Sequence, residues 1–288
     1  MRVLVTGGDG RLAREVVAAF EGHDVTALNR RQLDVAEEPA VAAAVQELAP
    51  ELIVNAAAMT DVDACERDPD RAHRVNALAP WWLARACART GATLVHVSTD
   101  AVFGASVPTG ADGRPRPFTE FDAVAPVSVY GRSKAAGEAL VRETLPRHHV
   151  VRVAWVLDRA GTDFVGAILT RAREHGRVEV VQDQVGSPSW IGDLGPALRE
   201  VAVSGRYGTV HRTNHGVVGR LELARRALAL AGVDAEVVPV DAQRRGDVAP
   251  RPRWSPLDDR HAVLSGLARL PDWEDGLRAA LHERDELA

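Results

Sequence analysis

The sequence predicts an α/β fold, a doubly wound parallel sheet with a smaller C-terminal α/β lobe. Three observations lead to this prediction: apolar runs alternate with helical patterns through the first half, glycine and proline mark the ends of the helical patterns, and the later half is more mixed. Such alternation is typical of β-α-β units, which wind parallel sheets with helices on both faces.

The elements of the first half follow in a regular order. Predicted strands cover residues 3–6, 24–28, 52–55 and 93–98, and predicted helices cover residues 11–20, 39–48 and 69–89. Pro39 and Pro69 suit the first turns of helices, and Gly22 and Gly91 suit the residues that follow their last turns. Segment 104–126 interrupts the alternation with repeated Pro, Gly and Thr, so we expect a surface loop that closes over a ligand.

The remaining elements form a helix, a strand and then a mixed region. Predicted strands cover residues 150–156, 178–181 and 237–240, and predicted helices cover residues 130–145, 163–174, 192–203, 220–231 and 273–283. We interpret the mixed region as a smaller lobe on the carboxyl side of the sheet. Residues 208–213 are candidates for a further strand of the main sheet.

Length, charge and cysteine content exclude several classes of function. A chain of 288 residues with a net charge of -5 presents no basic surface, so we expect neither a nucleic-acid nor a membrane partner. Cys65 and Cys87 lie in helix-like stretches without metal-ligand spacing, so neither a disulfide framework nor a metal site is expected. The chain enters its first strand without a basic-then-apolar leader, which predicts a cytoplasmic protein.

A glycine-rich run, TGGDGRLA at residues 6–13, follows the first strand and opens the first helix. Gly7 permits the tight turn, and Gly10 lets a pyrophosphate approach the backbone at the helix amino terminus. We therefore expect Gly7, Gly10, Arg11 and Leu12 to contact a dinucleotide, which makes the fold Rossmann-type. The alternative is a glycine-rich turn with a purely structural use.

The end of the second strand predicts which dinucleotide binds. An acidic residue there would bind an unmodified ribose, but this chain has Asn29, Arg30 and Arg31. Because Arg30 suits a 2′-phosphate, we predict NADPH as the cofactor, with NADH as the alternative if both arginines are solvated surface charges. Asp34 and Val35 are expected to flank the adenine.

Three small side chains, Ala56, Ala57 and Ala58, end the third strand. They allow a flat ring or a ribose to lie close to the backbone at the edge where open α/β sheets bind ligands. Packing in the core is the alternative use of this run. With the glycine turn they assign residues 1–155, and part of 190–216, to a dinucleotide-binding domain, and residues 156–288 mainly to a substrate-binding lobe.

Tyr130 and Lys134 are the expected catalytic pair. Residues four apart share one face of a helix, so the phenol and the ammonium point toward one bound cofactor. A neighbouring cation lowers a tyrosine pKa toward the working pH, which suits a general acid acting on a ketone. Thr99, at the end of the fourth strand, is placed to donate to the same carbonyl. Chance spacing on a solvated helix is the alternative reading of the pair.

These features together resemble the extended short-chain dehydrogenase/reductase superfamily, and more closely the dTDP-4-dehydrorhamnose reductase family. The closer resemblance rests on residues 55–63 (NAAAMTDVD), 75–76 (VN), 98–103 (STDAVF), 186–190 (GSPSW) and 251–258 (RPRWSPLD). It covers nearly the whole chain. It implies reduction of the 4-keto group of a dTDP-4-keto-6-deoxyhexose. The favoured reaction is that of dTDP-4-dehydrorhamnose to dTDP-rhamnose.

The resemblance also implies roles for single residues. Tyr130 would protonate the alkoxide, Lys134 would tune Tyr130 and hold the nicotinamide ribose, and Thr99 would orient the carbonyl. The implied contacts to substrate come from these residues and from Thr60, Asp100, Ala101 and Trp155. A core tryptophan is the alternative use of Trp155.

Departures from the family leave alternatives open. The family usually has tyrosine at Met59 and Ala101 and aspartate near Gly104, so another dTDP-4-keto deoxysugar is the alternative substrate. A dehydratase is disfavoured because Asp100 is followed by Ala101 and not by a second carboxylate. A non-catalytic NADP-binding regulatory subunit stays open, since a fold does not fix a function. We expect no metal and either a monomer or a homodimer.

Overall fold

The computed structural model describes residues 1–242 and 248–287 of the chain. The strands are β1 Arg2–Thr6, β2 Asp24–Leu28, β3 Leu52–Asn55, β4 Thr93–Thr99, β5 His148–Val153, β6 Val156–Leu157, β7 Arg177–Val181, β8 Val185–Gly186, β9 Ser189–Trp190, β10 Gly208–His211, β11 Val218–Gly219 and β12 Glu236–Val240. The helices are α1 Arg11–Ala19, α2 Glu38–Leu48, α3 Val62–Arg67, α4 Pro69–His73, α5 Ala79–Thr90, α6 Val129–Thr144, α7 Phe164–His175, α8 Ile191–Val203, α9 Arg220–Leu230, α10 Arg260–Leu264 and α11 Trp273–Glu283.

Within these described ranges, six strands form the central sheet in the order β10-β5-β4-β3-β1-β2. All of the pairings in this sheet are parallel, which confirms the predicted fold class. The register aligns Thr6 with Asn55 and Asn55 with His96, so the carboxyl ends of the strands lie along one edge. Ligands of open α/β sheets bind at this edge.

Helices cover both faces of the sheet because its strands are apolar on both sides. Leu4 of β1 packs in a core with α2, α5 and α6, whereas its neighbours Val3 and Val5 pack in a second core with α1, α8 and α10. Successive side chains of a strand point to opposite faces, so one strand serves both cores. The predicted strand at 208–213 joins the sheet as β10, beside β5.

A third core belongs to the later part of the chain. It packs α7, α9 and α11 around β7 and around Trp190 of β9. The predicted strands at 178–181 and 237–240 are confirmed, and they pair in parallel as β7 and β12. The structure thus has a second packed unit beside the main sheet, although the predicted boundary at residue 155 stays a prediction.

Two element predictions were wrong in detail. The predicted helix 69–89 is three successive pieces, with a π-helical turn Arg74–Leu78 between α4 and α5. Pro80 has no N–H for the carbonyl one turn earlier, which favours a local change in helical pitch. The predicted strand 150–156 ends at Val153, because Trp155 adopts a left-handed backbone with φ of 40°. Helix α3 was not predicted.

The expected surface loop at 104–126 is only partly a surface loop. Phe118 is 2% exposed, and its ring stacks on Phe103 with centroids 4.1 Å apart. Trp254 donates its indole N–H to the Arg116 carbonyl at 2.9 Å, and Phe118 forms a parallel bridge with Leu257. Arg116 and Phe118 are therefore held by residues from the C-terminal part of the chain, whereas Phe121 in the same segment is 70% exposed.

Candidate active site

The amino terminus of α6 presents Tyr130 and Lys134 to one cavity. Ser128 caps the helix by accepting the Gly131 N–H at 3.1 Å, which places Tyr130 in the first turn. Lys134 follows one turn later on the same face. Both side chains line a cavity of about 480 Å³ together with Thr99 and Asp100, so the predicted catalytic residues lie together.

The environment of Tyr130 differs from the sequence prediction. Burial raises the pKa of the phenol well above its ordinary value, a hydrogen bond with Thr99 opposes the rise, and the charge of Asp100 adds to it. The expectation that Lys134 lowers this pKa was wrong for the free protein, because burial outweighs every other influence. Tyr130 is therefore a neutral phenol at physiological pH, which is the form that a proton donor needs.

The Lys134 side chain points toward strand β4 of the central sheet. Its amino group is buried and donates to the Val97 carbonyl at 2.7 Å, with the His96 Nε2 atom 3.4 Å away. Burial lowers the pKa of Lys134 to about 8, and the charge of Glu138 opposes that shift. Lys134 is therefore poised to change its charge near physiological pH.

Thr99 and Asp100 meet the C-terminal segment of the chain at the cavity wall. Thr99 donates to the Asp100 carboxylate at 3.1 Å, and Ser255 donates to the same carboxylate at 2.6 Å. Burial raises the pKa of Asp100, whereas the hydrogen bonds from Ser255 and Thr99 lower it. The Thr99 hydroxyl has a single proton, so it must turn from Asp100 to donate to a substrate.

The glycine turn connects this cavity with a second cavity of about 330 Å³. Gly10, Ala56 and Ala58 line both cavities, so the two form one continuous site. Gly7 has φ of 73°, and an added Cβ atom would lie 2.9 Å from the Ala57 Cα atom. Only glycine fits this turn, which brings the first strand against the end of the third.

The residues present fit a dinucleotide cofactor. Gly10 is the N-cap of α1 and carries no side chain that could bond the first-turn N–H groups. Those N–H groups and the helix dipole favour an anion such as a diphosphate at this point. The predicted residues Leu12, Ala57, Asp34 and Val35 each line one of the two cavities, on either side of the turn.

Two predicted cofactor residues have other partners. Arg11 lines the larger cavity, but its guanidinium pairs with Asp158 and donates to Thr162 at 3.1 Å. Asn29 donates to Asp9 at 3.3 Å and does not appear among the described residues that line the two cavities. Asn29 thus contacts the glycine-rich turn through Asp9 and not through either cavity.

The smaller cavity holds two arginines. Arg30 lines it and is held by Asp34 at 3.4 Å, although 68% of the Arg30 side chain is exposed. Arg71, which was not predicted, lines the same cavity. Two guanidinium groups beside this cavity suit a phosphate group on the ribose of a bound dinucleotide.

Trp155 lines the larger cavity in a constrained position. It combines φ of 40° with a ring that lies against Gly186, where an added Cβ atom would be 2.3 Å from the indole. The Arg220 guanidinium lies 3.6 Å from the Trp155 ring centroid and 4.4 Å from that of Phe164. A left-handed non-glycine residue is costly and is characteristic of functional sites.

Some of the remaining predicted substrate residues line the larger cavity, and others do not. Thr60 lines the larger cavity with Trp155, whereas Ala101 does not line it within the described residues. Met59 lines the smaller cavity and, like Tyr130, packs against a core cluster of Cys65, Ala72 and Val129. Gly104 has φ of 130°, and an added Cβ atom would lie 2.9 Å from Pro252, so the aspartate usual near this position has no room here.

Several residues at the site were missed by sequence reasoning. Arg220 stands alone in the sequence, and only the fold brings it to the cavity. Ser255 lies in the run RPRWSPLD, which carried a resemblance but no assigned role. His96, three residues before Thr99, is a buried titratable residue on a predicted strand, and that signal was available.

In residues 1–242 and 248–287, no group of three or more His, Cys, Asp or Glu side chains is arranged to hold a metal ion. None of the described helices has the length and apolar character that a membrane span requires.

Comparisons with known proteins agree over nearly the whole chain. The model of the family described as RmlD substrate binding domain matches residues 1–285. A dTDP-4-dehydrorhamnose reductase of Mycobacterium tuberculosis is 42% identical over 285 residues, covering 97% of this chain and 92% of the relative. A protein of Streptomyces antibioticus named as a probable dTDP-4,6-dihydroxy-2-methyloxan-3-one 4-ketoreductase is 40% identical over 289 residues, covering 97% and 94%.

A solved structure shows the same architecture. The dTDP-4-dehydrorhamnose reductase of Bacillus anthracis in complex with NADP superposes with a TM-score of 0.92 at 32% sequence identity. The superposition covers 98% of this chain and 99% of that chain. The second lobe is therefore shared along with the sheet.

Proposed function

This chain belongs to the RmlD substrate binding domain family, and from that premise we propose that it is an NADPH-dependent reductase of dTDP-4-keto-6-deoxyhexoses. One observation carries the proposal. Tyr130, Thr99 and Lys134 line one cavity that is continuous with an uncapped, glycine-opened helix amino terminus. A proton donor beside a dinucleotide site is the arrangement that carbonyl reduction requires.

The residues of this chain divide the proton chemistry. When bound, NADPH supplies the hydride that reduces the C4 keto group. Tyr130 enters as a neutral phenol, because burial holds its pKa high, and it gives its proton to the oxygen at C4. Thr99 donates a hydrogen bond to the same oxygen and so stabilises the charge that develops there.

Lys134 supports these two residues from beneath. With NADPH bound, Lys134, one turn after Tyr130, would donate a hydrogen bond to the ribose of the cofactor and help to orient it. The Val97 carbonyl at 2.7 Å holds the ammonium in place. Lys134 thus acts through orientation and charge, and the proton that reaches substrate comes from Tyr130.

Arg220 and Trp155 are suited to bind the nucleotide end of the substrate. The guanidinium lies at the wall of the larger cavity and against the Trp155 ring, and its charge lowers the pKa of Asp100. A planar guanidinium is well suited to bind a diphosphate. We place the diphosphate at Arg220 and the sugar between Thr60, Asp100 and Tyr130.

We propose dTDP-4-dehydrorhamnose as the sugar substrate, with another dTDP-4-keto deoxysugar as the alternative. Ala101 is not among the described residues that line the larger cavity, so its side chain makes no direct contact with the proposed sugar site. Met59 lines the smaller cavity and is not among the described residues that line the larger cavity, where the sugar is placed, which also removes one reason to expect an altered sugar. A panel of sugars decides between the two.

The test is an absorbance assay of NADPH oxidation with purified protein and a panel of dTDP-4-keto sugars. We expect turnover with dTDP-4-dehydrorhamnose and loss of roughly 10²-fold or more in kcat for Tyr130→Phe, which keeps the ring and removes the proton. NADPH binding by fluorescence is the control that the variant folds. Binding without turnover on any sugar of the panel would favour the regulatory-subunit alternative.

The division of the chain and its location complete the proposal. We propose that residues 1–155, with α8 and β10, form the dinucleotide-binding domain and that the remainder of 156–288 is mainly a substrate-binding lobe. The packing of α8 and β10 in the sheet layer supports this division. Cys65 and Cys87 are buried free thiols, which agrees with a reducing cytoplasm. Sedimentation would distinguish a monomer from a homodimer.

A further inference from the structure

A row of buried polar groups runs beneath the catalytic helix. His96 is 1% exposed and lies on β4, with its Nε2 atom 3.4 Å from the Lys134 Nζ atom. Its Nδ1 atom is 3.0 Å from the Asn55 amide nitrogen, and the Asn55 amide oxygen is 2.6 Å from the Thr6 hydroxyl. Four side chains from three neighbouring strands and one helix thus form one continuous chain of hydrogen bonds.

The direction of these hydrogen bonds depends on the charge of Lys134. If the Asn55 oxygen accepts from Thr6, the Asn55 nitrogen donates to the His96 Nδ1 atom, and this arrangement requires the imidazole proton on Nε2. A donor at Nε2 faces Lys134 favourably only if Lys134 is a neutral amine. If Lys134 is an ammonium, these hydrogen bonds must reverse direction. The His96 Nε2 atom then accepts from Lys134, and the His96 Nδ1–H group donates to the Asn55 oxygen. This requires the Asn55 amide to rotate so that its oxygen faces His96.

We propose that His96 is a positioning residue that holds the Lys134 amine in place and, through its tautomer, supports either charge state of Lys134. This inference rests on the proposed function, since Lys134 acts there beneath the substrate. Neither state changes the number of protons on His96. The two states differ by one proton on Lys134 and by the nitrogen of His96 that carries the hydrogen.

The surroundings support a neutral His96. Burial, followed by the charge of Lys134, holds the pKa of His96 well below its ordinary value, so the ring does not become an imidazolium. The other groups that face Lys134 are the Val97 carbonyl, Glu138 one turn along α6 and Tyr130 one turn before. The His96 Nε2 atom lies 3.4 Å from the Lys134 Nζ atom, and it can either donate or accept there according to the tautomer of the ring.

Two substitutions separate this role from simple packing. Gln at position 96 reaches Lys134 with an amide that donates or accepts, whereas Asn reaches Asn55 but not Lys134. We expect His96→Asn to lower kcat about tenfold or more and to move the pH dependence of kcat/KM that follows Lys134. We expect His96→Gln to recover most of that loss.

His149 supplies the matched control. It is a buried histidine on the neighbouring strand β5, and its register beside Val95 places it on the opposite face of the sheet from His96. His149→Gln should leave the pH profile of wild type. A wild-type profile in His96→Asn, or the same displaced profile in His149→Gln, would overturn the proposal.

A second measurement needs no turnover and separates this inference from the proposed function. Nitrogen-15 NMR of labelled histidine reports which ring nitrogen carries the proton, and the His96→Gln variant assigns the His96 signals. We expect the His96 tautomer to change as pH passes the pKa of Lys134, near 8, and to stay constant in Lys134→Met. A change that persists in Lys134→Met refutes the coupling, and so does a constant tautomer in wild type. Absence of wild-type turnover would refute only the proposed function.

Discussion

Replacing Glu138 by alanine should destabilise the protein more than any surface substitution, because Glu138 forms a fully buried ion pair behind the catalytic helix. Its carboxylate is 0% exposed and accepts from Arg152 at 2.9 and 2.7 Å. It also accepts from Ser98 at 2.6 Å and from Arg142 at 3.1 Å. Glu138 therefore joins α6 to β4 and β5, next to Thr99.

The expected cost follows from the charge that is left behind. The Arg152 side chain is 3% exposed, so Glu138→Ala leaves a buried guanidinium without its carboxylate. Removing one partner of a buried ion pair costs about 3–5 kcal/mol, whereas replacing both by apolar groups is often near neutral. We expect the double variant Glu138→Ala, Arg152→Met to recover at least half of the loss.

Urea unfolding followed by circular dichroism measures these free energies, and the four corners of the double-mutant cycle give the coupling. At pH 7 and before unfolding, Glu138→Ala should also lower kcat more than it raises KM, since it releases the helix that carries Tyr130. A cost below about 1 kcal/mol for the single variant would refute the reasoning. So would a double variant no more stable than Glu138→Ala.

Three further predictions concern charges at the site. Burial lowers the pKa of Lys134 to about 8, so above that pH the unfolded chain binds more protons than the folded chain, and wild-type stability should rise with pH from 8 toward the ordinary lysine pKa. Lys134→Met should therefore be more stable than wild type at pH 7 by roughly 2 kcal/mol. Urea unfolding should show this gain becoming smaller by pH 10. Arg30→Ala should reduce the preference for NADPH over NADH by about fivefold, a modest effect because Arg30 is mostly exposed and water screens its charge. An unchanged ratio of the specificity constants for the two cofactors would contradict this role of Arg30. Ser255→Ala removes a hydrogen bond that lowers the pKa of Asp100, so a rise in that pKa, measured by carboxyl NMR, is expected, and an unchanged value would exclude the role of Ser255.

The sequence by itself determined the features that depend on neighbouring residues in the chain. The glycine turn at Gly7, the strand and helix alternation and the Tyr130–Lys134 spacing are local patterns, since each is fixed within one or two turns of chain. The doubly wound sheet follows from strands that are apolar on both faces. These signals were sufficient for the fold class, and they predicted Thr99, Tyr130 and Lys134, which line one cavity.

Only the tertiary structure decided how the site is charged and closed. Ser255 reaches Asp100 across 155 positions of sequence, and Arg220 reaches Trp155 only because the second lobe folds onto the sheet edge. The pKa of Tyr130 shows the difference most clearly: the sequence places a cation one turn away, but burial dominates and raises the pKa. Burial and long-range contacts are properties of the packed chain, and no local pattern contains them.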